Sequence, residues 1–229
     1  VGDDKTLRMW DCVNRKMTRK MDLPCMSRAV AYSSDGELIA VGLGGNVGRG
    51  KQPEDGKFLV LRASTLEQIH EARDSKQWIG EIKFSPDNKT LAVGSHDNKV
   101  YLYDVSDSFD RKGIFQKHNA FVTHLDFSQD GRYVQSSSGG LELLYADSAT
   151  GQHIRSAAAL RDETWDTWSC PIGFPVQGIW PAAVDGVEFS CVERSIRMDA
   201  LATGDNHGRL TLFNYPCLDG KAATKVYSG

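Results

Sequence analysis

A chain of 229 residues that is 40% hydrophobic can bury a sizeable core, while a formal net charge of -3 offers no basic domain for nucleic acid to grip. No apolar run approaches the roughly 20 residues that a membrane-spanning helix needs. Five cysteines, at 12, 25, 170, 191 and 217, are odd in number and never spaced Cys-x-x-Cys, which favours reduced thiols over disulfides or a zinc site. Neither nucleic acid nor membrane is expected as a partner, and no metal or cofactor is expected.

The chain opens on VGDDKTLRMWD, a turn at Asp4 followed by an alternating strand that ends in Trp10-Asp11. A basic run follows, Arg15, Lys16, Arg19 and Lys20, where an outer strand belongs, and charge there keeps a sheet edge solvated. Next comes AYSSDGELIAVG (Ala31 to Gly42), which returns 52 residues later as KFSPDNKTLAVG (Lys83 to Gly94). The Gly-rich stretch Gly44 to Gly56 accounts for the extra length. From Ile82 to Val105 the pattern is a short apolar strand, a Ser-x-Asp turn, a strand entering Ala-Val-Gly, a tight turn at Asp97 and an alternating strand closing on Tyr103-Asp104. Much of it recurs 43 residues later, with Asp130 matching Asp87 and Ala146-Asp147 matching Tyr103-Asp104. Finally LATGDNHGRLTLFNY (Leu201 to Tyr215) matches LAVGSHDNKVYLYDV at an offset of 110, two repeats plus an insertion.

A repeat of this length, made of four short strands, predicts an all-β fold of the WD40-type β-propeller class. The spacing predicts a partial propeller, about four to five blades of a larger ring. Residues 1–23 read as the end of a preceding blade, 24–72, 73–116 and 117–157 as blades, 158–217 as a blade with a Trp-rich insertion over 162–181, and 218–229 as the start of the next. Because the chain begins and stops in mid-blade, it is expected to be a fragment whose missing partner is the rest of its own propeller.

WD blades are often tied by a buried network of Asp, His, Ser or Thr, and Trp, whose polar members must all be satisfied. Here the network reads as patchy. Asp4 and Asp97 hold the tight-turn position but Gly140 takes it in the next blade, and His118 faces Ala146 where a tryptophan is expected, so apolar packing should carry the blades. His118 is expected to be a loop or core residue rather than a ligand or base.

Motifs for chemistry are weak. Gly45 to Lys51 satisfies Gly-x4-Gly-Lys, yet Gln52 replaces the hydroxyl that magnesium needs and a strand follows instead of a helix, so a hairpin insertion is expected. His118 and His124 lack a His-Glu-x-x-His frame, no Gly-x-Ser-x-Gly elbow occurs, and no enzyme is predicted. The anomaly is DETWDTWSCPIGFPVQGIWP (Asp162 to Pro181), with three of the five tryptophans. Trp165, Trp168 and Trp180 are the candidate partner-binding residues, since tryptophan is enriched at interaction hot spots; folding back between blades is the alternative.

That segment, with ATGDNHGRLTLFNYPC after it and THLDFSQDGRYVQSSSGGLELLYAD before it, closely resembles the second propeller of the echinoderm microtubule-associated protein-like family. The likeness extends to SKQWIGEIKFSPDNKTLAVGSHDNKVYLYDV and so covers nearly the whole chain. It implies a tandem pair of propellers acting as a non-enzymatic scaffold that binds tubulin or axonemal and other cytoskeletal partners, in the cytoplasm or the cilium. The basic coiled-coil region that attaches the family to the microtubule lattice does not occur in this sequence. A general WD40 adaptor, recruiting a peptide or enzyme through the propeller face, is the alternative.

Overall fold

Residues 1–45, 50–180, 188–220 and 224–228 are described in a computed structural model, and they form five antiparallel sheets. The first sheet pairs β1 (Thr6–Asp11) with β2 (Lys16–Asp22). The second is the meander β3 (Ser27–Tyr32), β4 (Leu38–Leu43), β5 (Lys57–Arg62) and β6 (Gln68–Arg73). The third runs β7 (Ile79–Phe84), β8 (Thr90–Ser95), β9 (Val100–Asp104) and β10 (Asp110–Phe115). The fourth follows as β11 (Val122–Phe127), β12 (Tyr133–Ser138), β13 (Leu143–Asp147) and β14 (His153–Ile154), and the fifth as β15 (Phe189–Arg194), β16 (Ala200–Asp205), β17 (Arg209–Asn214) and β18 (Thr224–Ser228). This is a partial β-propeller, as the repeat predicts.

One expectation changes. Within the stretch 218–229, read as the start of the next blade, residues Thr224–Ser228 form β18, which pairs with β17 from Arg209↔Ser228 to Phe213↔Thr224 as the fourth strand of the fifth sheet. A free edge of β17 would leave a row of backbone donors and acceptors unpaired, and the next strand in sequence takes them. The long connection between the two strands hid this pairing.

Strand alternation builds the core. In β4, Ile39, Val41 and Leu43 face Leu7 and Leu23 of the first sheet and its approach, while Ala40 faces the third sheet. In β9 the division repeats, with Tyr101 and Tyr103 packed toward Phe58 and Val60, and Val100 and Leu102 toward Leu125 and Phe127. A strand buried on both faces in this way reads as a near-continuous apolar run. Gly42 and Gly94 close the Ala-Val-Gly strands for a steric reason: a Cβ there would lie 2.4 Å from Ile79 Cγ2 and 2.8 Å from Val122 Cγ1 respectively. Each glycine lets the first residue of the next sheet's inner strand press against the backbone.

The turns repeat as well. Ser33, Ser85 and Ser128 donate their hydroxyls to Asp35, Asp87 and Asp130 at 2.6, 2.6 and 2.7 Å, and each serine oxygen accepts the amide five residues on. At three other hairpins Asp11, Asp104 and Asp147 accept amides two or three residues ahead, which is why an aspartate closes β1, β9 and β13. Every inner strand carries a bulge at its start, at Ser27/Ala29, Ile79/Glu81, Val122/His124 and Phe189/Cys191, and a bulge adds local twist.

Candidate functional site

The polar network is fuller than the sequence pattern suggests. In the third sheet Asp97 accepts Tyr101 Oη at 2.6 Å and Ser75 Oγ at 3.0 Å, and Ser75 in turn meets Ser95 at 2.6 Å. In the fourth, Glu142 fills the place that Gly140 leaves vacant: its carboxylate accepts the Asn119 amide at 2.9 Å and Ser138 Oγ at 2.9 Å, and lies 3.4 Å from His118 Nδ1. His118 Nε2 meets Ser136 Oγ at 2.6 Å, and burial lowers the imidazole's pKa. His118 is therefore a satisfied core residue. Asp4 accepts Thr6 Oγ1 at 2.9 Å, Tyr103 Oη donates to Asp74 at 2.8 Å, and Trp10 is exposed at the sheet edge.

The Trp-rich insertion is fastened through Asp126, on the inner strand β11. Its carboxylate is wholly buried and accepts Lys83 Nζ at 2.8 Å, Thr167 Oγ1 at 2.6 Å, Gln135 Nε2 at 3.2 Å and the amides of Ser169 and Cys170 at 2.9 and 3.2 Å. Lys83 Nζ also donates to Thr167 Oγ1 and Ser169 Oγ at 2.9 and 3.1 Å. Burial alone would raise the Asp126 carboxyl, but the Lys83 ammonium and these donors overcome it and hold it at about 2. Lys83, although desolvated, is held above the usual lysine range by Asp126 and Glu81. Glu81 shares this inner group of charges with no ion pair of its own among the described residues, and burial, only partly offset by the Lys83 charge, pushes it up to about 7.

From this anchor the insertion fills the gap between the fourth and fifth sheets. Trp165 and Trp168 are buried, crossing edge to face at 6.5 Å, in one apolar cluster with Val192, Leu201 and Phe213. Trp168 Nε1 donates to the Cys170 carbonyl at 2.8 Å, and Arg194 Nη2 to the Trp165 and Asp166 carbonyls at 2.7 Å each. The structure thus places the Trp165 and Trp168 rings inside an inter-sheet contact. Trp180 differs. It is half-buried, its Nε1 donates to Pro171 O at 2.9 Å, and its ring meets Phe189 edge to face at 4.7 Å. Pro181, the end of the insertion, lies outside the described residues, as do residues 46–49 of the glycine-rich loop.

Trp180 opens onto a surface that residue patterns alone did not single out. At the end of the sheets where the inner strands begin, a cavity of about 590 Å³ is walled by Trp78, His96, Phe121, Leu141, Trp180 and Phe189, among others. Trp78 stacks on His96 at 3.4 Å between centroids, His96 stacks on Phe121 at 4.4 Å, and the Arg28 guanidinium lies 5.7 Å over Trp78. Arg28 is itself paired with Asp3 through two contacts of 3.1 and 3.0 Å. Burial, with Arg28 adding to it, lowers His96 to about 4, so the stack is neutral at physiological pH. Phe121 remains 41% exposed and Leu141 71%. A legible signal existed: Trp78 and Phe121 are 43 residues apart, one repeat, each just before an inner strand. Neutral stacked rings beside exposed apolar side chains suit protein recognition.

The comparison with known proteins fits this architecture. A family model described as "Echinoderm microtubule-associated protein second beta-propeller" matches residues 1–229. Echinoderm microtubule-associated protein-like 3 of Mus musculus is 34% identical over 232 residues, covering 100% of this chain and 25% of the relative. The corresponding protein 2 of Rattus norvegicus is 34% identical over 231 residues (100% and 34%), and protein 1 of Homo sapiens 32% identical over 231 residues (100% and 27%). The chain spans about a quarter to a third of the length of these curated relatives. It belongs to the echinoderm microtubule-associated protein-like family, in the region of that family's second propeller.

Proposed function

We propose that this chain is part of a non-enzymatic scaffold on microtubules, which holds tubulin or a cytoskeletal partner against the aromatic cavity at the mouth of its inner strands. Its place is the cytoplasmic cytoskeleton, the axoneme included. One observation carries the reading: in a chain whose relatives are named as microtubule-associated proteins, rings from two sheets stack into a single neutral platform flanked by exposed Phe121 and Leu141. Large apolar side chains held rigid by stacking lose little freedom on binding, which is what an anchoring surface requires. The proposal assigns no catalytic step to any residue.

Co-sedimentation with polymerised tubulin tests it, using the full-length protein and its Phe121→Asp variant. Phe121 packs on the outside of His96, so a charge there spoils the platform while leaving the sheet core intact. The bound fraction should fall several-fold in Phe121→Asp with an unchanged melting temperature. Equal pelleting of the two proteins would remove this surface from the account; a folded wild-type protein that captures other proteins but never pellets would favour a general adaptor.

A further inference from the structure

A second cavity, about 460 Å³, lies against the Trp-rich insertion, between Tyr145 of the fourth sheet and Tyr215 beyond the fifth. Its apolar walls include Trp165, Trp168, Phe174 and Met198, so water inside it makes few hydrogen bonds. Its volume falls in the range of small-ligand sites, roughly 300–1,000 Å³. Two guanidinium groups border it. Arg161 lies 4.9 Å over the Phe174 ring, and Arg194 lies 5.3 Å over Tyr215.

Arg194 is 7% exposed, and although its Nη2 satisfies two carbonyls, its buried Nε has no hydrogen-bond partner among the described residues. An unmet donor on a buried cation is costly, and the planar guanidinium fork is shaped to accept a carboxylate. Among the described residues Glu163 is the one acid bordering the cavity, and its Oε1 accepts the Thr164 amide at 3.2 Å. Two cations and one carboxylate thus border the apolar cavity among the described residues.

We propose that this cavity is a binding site for an acidic protein segment, which seats an apolar or aromatic side chain against the exposed Phe174 and Met198, with the buried Trp165 and Trp168 behind them, and a carboxylate against Arg161 and Arg194. The charge complementarity selects the carboxylate; the aromatic walls select the ring. The site is separate from the stacked platform of Trp78, His96 and Phe121, and its test needs no microtubule, so failure here leaves the proposed function standing and the converse also holds.

The probes are N-acetyl-phenylalanine, which carries ring and carboxylate, and its amide, which carries the ring alone. Each is titrated into the full chain while the tryptophan indole N-H resonances are followed. The carboxylate should shift the Trp168 resonance saturably and bind about tenfold more tightly than the amide, the effect of one charge-assisted hydrogen bond. Arg161→Gln should bring the two ligands level without unfolding the chain, since Arg161 sits at the rim, and Trp180→Phe should change nothing because Trp180 lines the other cavity. Absence of a saturable shift, equal affinity for acid and amide in the wild-type protein, or indifference to Arg161→Gln would each overturn the proposal.

Discussion

Replacing Asp126 with alanine strips one carboxylate from Lys83, Thr167, Gln135, Ser169 and Cys170 together. Removing one member of a buried ion pair costs about 3–5 kcal/mol, because the other charge is left desolvated. The stranded amides of Ser169 and Cys170 would add about 1–3 kcal/mol if water could not reach them, but the insertion can detach and hydrate them. A net loss of about 4–6 kcal/mol is therefore expected, a large part of the 5–15 kcal/mol typical of a whole domain. Urea denaturation of the complete propeller at pH 7 measures it, where the contribution of a carboxyl held at about 2 is fully present; it would be lost only as pH falls from the ordinary aspartate value of 3.8 through 2. Lys83→Met added to Asp126→Ala should recover about 1–3 kcal/mol, since the uncompensated ammonium is then gone. Amide exchange at Ser169 and Cys170 should accelerate in the single variant before global unfolding. A cost under about 1 kcal/mol, far below that of a broken buried pair, or a cycle with no coupling between the two positions, would refute the view that this pair fastens the insertion.

Other expectations follow from the same packing. Gly94→Ala should destabilise by about 1–3 kcal/mol, read as a lower urea midpoint at constant slope, because its Cβ would meet Val122 Cγ1 at 2.8 Å. Trp168→Ala should cost about 3–5 kcal/mol by emptying the inter-sheet cluster, whereas Trp180→Ala, half-buried at the open cavity, should cost clearly less. Glu81 has a raised folded pKa, so its contribution is fully present below 4.5 and is lost as pH rises through about 7; Glu81→Gln should flatten the fall in stability across that window and gain about 1–3 kcal/mol at pH 8.

Much of the architecture was legible because most repeats carry some of the same punctuation: Ser-x-Asp for the first turn in the second, third and fourth sheets, a glycine where the next sheet presses close at Gly42 and Gly94, and an aspartate closing the strand at Asp11, Asp104 and Asp147. Local chemistry of that kind survives in a sequence. The parts that were not legible depend on distant segments. Glu142 does the work expected at Gly140 because the fourth sheet's tight turn shifts its acid by two positions, which only the approach of Asn119 and Ser138 reveals. Asp126 looks like any polar residue of an alternating strand until Thr167 to Cys170 folds back onto it from some 40 residues away. The tryptophans of the insertion stood out by composition, yet composition could not separate Trp165 and Trp168, turned inward, from Trp180, turned toward an opening. The platform itself is made of residues that look ordinary singly, and only the 43-residue register hints that Trp78 and Phe121 occupy equivalent places.

We propose, as the central claim, that partners on the microtubule meet the face bearing Trp78, His96 and Phe121. Its most direct test is site-specific photo-crosslinking of the full-length protein with benzoyl-phenylalanine in place of Leu141, 71% exposed beside that platform, and separately in place of Ile196, 98% exposed in the turn at the opposite end of the fifth sheet. With assembled microtubules present, crosslinks to tubulin or to a microtubule-bound protein are expected from position 141 and only background from 196; crosslinks confined to position 196 would refute this placement of the partner face.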